Sequence, residues 1–146
     1  MVIAVVAVGV ATWALLEPAP EPGAPSYSAS EVTDATTSVC QAYDLALRAV
    51  SLQTNATPPA GDSGALAATA NARLALMVAS VNLTDALAAA PATPEGLATP
   101  VKQLAGEYRL VATNYLAGVT IDQAPIPAAL QRAGTAATTI TGACRR

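Results

Sequence analysis

PEGLATPVKQLAGEYRLVATNYLAG, residues 94–118, carries the cleanest apolar period in this chain. Leu97, Val101, Leu104, Tyr108, Val111 and Tyr115 recur at alternating steps of four and three, while Lys102, Arg109 and Thr113 point away. That alternation is an a/d seam, the pattern of a helix that lays one stripe into a bundle. Either Thr93-Pro94 or Thr99-Pro100 can start the helix, with threonine as N-cap and proline at the first helical position. Gly118 and the segment TIDQAPIP, residues 120–127, end it.

Helical spacing continues on both sides of this seam. Upstream, residues 31–55 place Cys40, Tyr43, Leu47 and Val50 on one stripe with Val39 and Ala46 beside it. Asp34, Gln41, Arg48 and Asn55 share the opposite face, seven residues apart. The cluster NATPPAGDSG, residues 55–64, is a turn, and Asp62 or Ser63 can cap the next helix. Residues 65–90 form that helix, alanine-rich, which PATP, residues 91–94, interrupts. Downstream, Ile126, Leu130, Ala133, Ala137, Ile140 and Cys144 form the stripe of a last helix, and ATTIT, residues 137–141, is the one β-branched cluster. Four helices with short connections predict an all-α fold, an up-down-up-down four-helix bundle over residues 31–146.

The two cysteines bear on that topology. Cys40 lies near the start of the first helix and Cys144 at the end of the last. In an antiparallel bundle of four, those two ends meet at one pole, and both residues fall on apolar stripes. A Cys40–Cys144 disulfide is expected, which implies an oxidising compartment.

Residues 1–16, MVIAVVAVGVATWALL, hold no charge. As a helix they span about 24 Å, short of the ~30 Å hydrocarbon core. They read as a transmembrane or signal-anchor helix with its N-terminus in the cytoplasm, or alternatively as a signal peptide that is cleaved. Trp13 suits a membrane interface, and the absence of Lys or Arg between Met1 and Arg48 puts the following domain outside the cytoplasm. Residues 17–30 form a proline-rich linker: EPAPEPGAPSYS, residues 17–28, favours extended polyproline II, a spacer of ~3 Å per residue.

Composition narrows the function. Among 146 residues, 12% are charged, half the ~25% of ordinary soluble domains. The net charge is −3, and one lysine and six arginines are scattered singly, which leaves no basic face for nucleic acid. Histidine is absent, so the usual general base and the commonest metal ligand are missing. Five Asp and five Glu are dispersed without a calcium-loop spacing, and no hydroxyl residue sits in a nucleophile-elbow context. Asp44 and Arg48, four apart, read as a solvated helix pair. These features predict no enzyme activity, no metal and no cofactor.

VCQAYDLALRAVSLQTN (39–55), ANARLAL (70–76) and NYLAGV (114–119) resemble the alanine- and proline-rich membrane-anchored proteins of mycobacteria and related actinobacteria. The resemblance runs over most of the chain from Cys40 onward. It implies an N-terminal membrane helix, a proline-rich spacer and an extracytoplasmic helical domain in the cell envelope, and it implies no activity.

The sequence supports two functional expectations. The first is a non-enzymatic interaction or scaffold module, held to the membrane by its N-terminal helix, with an envelope protein or lipid as partner. The second helix is apolar on two sides: Leu74, Met77 and Val81 on one, Leu76, Leu83 and Leu87 on the other. One stripe suffices for a core, and Leu76, Leu83 and Leu87 are the candidate interaction patch. The second expectation is a carrier or sensor of a hydrophobic ligand, lipid or haem, inside the bundle. Tyr43, Tyr108 and Tyr115 lie on inward stripes, where tyrosine can ligate haem iron or simply fill a core that has no phenylalanine. Cavity volume separates the two expectations: a carrier needs about 300 Å³ or more.

Overall fold

The computed structural model describes residues 26–58 and 61–145. The N-terminal apolar segment and most of the proline-rich linker lie outside them. Among the described residues the chain is all-helical with no strand: α1 (Ala29–Thr54), α2 (Asp62–Ala89), α3 (Glu95–Leu116) and α4 (Ile126–Cys144).

Local chemistry explains each helix boundary. Ser28 caps α1 in a capping box: its hydroxyl accepts from the Glu31 backbone N–H at 3.3 Å, and the Glu31 carboxylate accepts from the Ser28 backbone N–H at 2.7 Å. α2 starts without a side-chain cap. Gly61, at φ +96°, is its N-cap, and Asp62 is the first helical residue, where its charge favours the helix N-terminus. α3 begins after Pro94, so Pro100 lies inside the helix and is buried, and the Thr99-Pro100 start is not used. At the other end of α3, Gly118 adopts φ +84°. Its N–H donates to the Tyr115 carbonyl, and the Val119 N–H donates to that of Asn114. This is a Schellman ending, in which glycine takes the left-handed position without a Cβ clash. α4 begins at Ile126, where the apolar stripe does.

Helices adjacent in sequence pack on one another, whereas α1 and α4 touch little. The core takes Val39, Tyr43 and Ala46 from α1, and Leu76, Ala79 and Leu83 from α2. From α3 it takes Leu97, Val101, Leu104, Tyr108 and Val111, so five of the six seam residues are buried, with Tyr115 packed at the edge. Alanines supply much of the remainder, including Ala129, Ala133 and Ala136 of α4, which allow close approach of the backbones. Two side chains pin α2 to its neighbours: the buried Ser80 hydroxyl donates to the Ala105 carbonyl at 2.7 Å, and the Asn82 amide donates to the Ala42 carbonyl at 3.1 Å.

Cys40 and Cys144 form a disulfide, with Cα atoms 5.7 Å apart across a separation of 104 residues. One turn on, the buried Tyr43 hydroxyl donates to the Ala137 carbonyl at 3.0 Å and pairs with the Thr141 hydroxyl at 2.8 Å. These bonds join α1 to α4. Leu47, the next residue on that stripe, is exposed, because α4 gives it little cover. Leu130 and Ala137, expected on the α4 stripe, likewise sit outside the fully buried set, and Ala129 and Ala136 take their places.

Candidate functional site

The patch predicted on α2 lies largely inside the protein. Leu83 is fully buried and Leu76 is 5% exposed, both in the core, and Leu87 is half-buried against it. The opposite stripe faces outward: Leu74 is 61% and Val81 54% exposed, with Leu66 and Val78 exposed beside them and Met77 packed at the edge. The two stripes exchange roles because the register of α2 is set by what α1 and α3 present to it. Ser80, which bonds to α3, shares a side of α2 with Leu76 and Leu83, and Asn82 on the adjoining flank bonds to α1. In consequence an 18-residue window of α2 with mean hydropathy 1.4 is only 28% buried.

At the pole away from the disulfide, the four helices border a half-open cleft of about 460 Å³. α1 contributes Val50 and Thr54 near its end, and α2 contributes Thr69, Ala72, Arg73 and Leu76 near its start. Tyr108, Val111 and Tyr115 of α3 form a wall, with Leu130 of α4 and Ile121 of the preceding connection opposite. The lining is mostly apolar, as the faces that meet there are the ends of core stripes. Leu130, left uncovered by α1, and Val50 therefore border a shared opening rather than a closed seam.

Three polar groups stand out in that apolar wall. Burial raises the Tyr108 phenol above its ordinary value, and the nearby Tyr43 acts in the same direction, so Tyr108 stays a neutral hydroxyl. Neither Tyr108 nor Tyr115 spends its hydroxyl on another described residue. Arg73 is half-buried, its Nε is enclosed and has no hydrogen-bond partner, and it forms no ion pair among the described residues. No carboxylate lines the cleft. Sequence reasoning passes over Arg73, because a single arginine on an alanine-rich helix reads as a solvated charge.

The remaining groups singled out in the sequence lie elsewhere. Tyr43 spends its hydroxyl on Ala137 and Thr141 and is a core residue, not an open ligand. Asp44 and Arg48 are both exposed and make no ion pair, while Arg132 of α4 pairs with Glu107 of α3 through both carboxylate oxygens, a link between helices that linear spacing does not reveal. Among the described residues no group of three metal-ligating side chains comes together. Comparison with family models, with curated proteins and with solved structures finds no match to this chain.

Proposed function

We propose that this chain is a non-enzymatic binding module of the cell envelope that holds a hydrophobic ligand in the cleft between its four helices. The observation that carries this reading is the cleft's volume, about 460 Å³, above the ~300 Å³ at which small-molecule sites begin. An apolar chain buried there gains roughly 0.8 kcal/mol per methylene. Alanine-rich seams predict a core too tight for any ligand, and they are tight along most of the bundle. Where α1 and α4 part, the ends of the stripes leave this cleft open.

An up-down-up-down course is part of the same reading. It is supported by the packing of sequence-adjacent helices and by the disulfide that joins the first half of α1 to the end of α4. That disulfide also suits an oxidising, extracytoplasmic compartment. With the apolar residues 1–16 as a membrane anchor and the proline-rich linker as a stalk, the bundle is held at the start of α1, and the cleft lies at that helix's other end.

A neutral probe tests the proposal. Oleyl alcohol added to the full chain in a mild detergent is expected to give a one-to-one complex in native mass spectrometry. Thr69→Trp, a bulky change at an exposed wall residue, is expected to remove it. A chain that takes no oleyl alcohol, or takes it equally well in the variant, overturns the proposal.

The exposed stripe of Leu66, Leu74, Val78 and Val81 favours a second reading, an interaction module that covers this face with an apolar partner. Leu74→Glu with Val81→Glu is then expected to abolish cross-linking to envelope components and leave ligand binding intact.

A further inference from the structure

Arg73 is a cation at an apolar site with no counter-charge. It lines the 460 Å³ cleft and also a second, smaller cleft of about 260 Å³, with Leu74, Met77 and Leu116. The side chain thus borders two apolar spaces. Its Nε is shut off from solvent without a partner, and no Asp or Glu lines either cleft. A guanidinium in such surroundings loses part of its hydration and receives nothing in exchange. Removing a charge from water is costly unless an opposite charge with matching hydrogen bonds replaces the water. The planar fork of arginine is the geometry that a carboxylate or phosphate satisfies with two parallel bonds. The hydroxyls of Tyr108 and Tyr115, uncommitted on the same cleft, add donors for the same oxygens.

We propose that the ligand is an anionic amphiphile with a single apolar chain, its head held by Arg73 and its chain laid along Val50, Leu76, Val111 and Leu130. This rests on the hydrophobic-ligand reading above and adds the head group. The shared chemistry is an acyl chain ending in an anion, which a free fatty acid or a lysophospholipid with a terminal phosphate can supply. Elsewhere, a cleft of about 410 Å³ carries Lys102 and Arg109 beside Leu87, but both cations are exposed and keep their hydration. The cleft of about 360 Å³ at the opposite pole is lined by Glu31 and Asp34, which repel an anion.

The test compares oleate, oleoyl lysophosphatidic acid and oleyl alcohol on the full chain in a mild non-ionic detergent, read as bound fractions by native mass spectrometry. At least one of the two anions is expected to bind roughly tenfold or more tighter than the alcohol, the scale of a charge-assisted hydrogen-bond pair. Whichever anion shows the preference identifies the source of the head group. Arg73→Gln is expected to bring that ratio to about one, and Arg73→Lys is expected to retain part of it. Equal binding of all three, insensitive to Arg73→Gln, overturns the anion anchor and leaves the apolar cleft standing. Binding of none overturns the underlying reading, and the anchor falls with it. The comparison of ligands on the unaltered chain needs no variant, so a poorly folded Arg73→Gln protein leaves the preference itself measurable.

Discussion

Tyr43 does for α1 and α4 what apolar contact does for the other helix pairs. Its ring is buried, and its hydroxyl bonds to both Ala137 and Thr141. Tyr43→Phe keeps the ring and removes the bonds, and is expected to cost about 1–2 kcal/mol in a urea titration. An unchanged midpoint would mean that water replaces the hydroxyl without loss. At the start of α1, the Ser28 hydroxyl and then its backbone N–H hold the Glu31 carboxyl below its ordinary value of 4.5. A carboxyl depressed in the folded state contributes stability above its unfolded value, and that contribution is lost as pH falls through the folded one. Stability is therefore expected to decline below about pH 4.5, and Glu31→Gln to flatten the decline. Denaturant midpoints taken between pH 7 and pH 3 check both. The chain has no histidine to add a transition between pH 5 and 8. The box itself, serine with glutamate three residues on, is present in the linear pattern, whereas the partners of Tyr43 lie more than ninety residues away.

α2 is where periodicity fails. The other three helices carry one apolar stripe with polar residues opposite, and such a helix has only one way to face a core. α2 has leucine, valine or methionine on both sides, so its composition defines no inward direction. Leu83→Ala is expected to cost 2–5 kcal/mol, since it opens a cavity in a fully buried position. Leu74→Glu, on the 61% exposed stripe, is expected to stay within about 0.5 kcal/mol. Equal effects at the two sites, read by thermal or urea unfolding, would mean that the exposed stripe is covered in solution. The same ambiguity hides the cleft, whose walls are the ends of stripes from four helices. No one helix displays it.

The disulfide joins residues 104 apart and ties two helices that share little other contact. In the chain-entropy treatment a loop of that length is worth about 4–5 kcal/mol, less any strain. Cys40→Ser and Cys144→Ser, singly or together, are each expected to lower stability by a comparable amount, and reductant is expected to do the same to the unaltered chain and nothing to the double variant. A midpoint that ignores reductant would show that the bond adds little to what Tyr43 already holds. Pairing of these cysteines was legible in the sequence, because helix count and order bring the two ends together whatever the side-chain detail. So were four helices, their breaks at proline and glycine, and the α3 seam, since these follow from local backbone preference and a period that one helix carries alone. Which side of α2 faces inward, which alanines replace Leu130 and Ala137 in the core, and the apolar cleft with Arg73 inside it were settled only in three dimensions. Each depends on what a neighbouring helix presents, and on α1 and α4 being held at one pole while little joins them at the other.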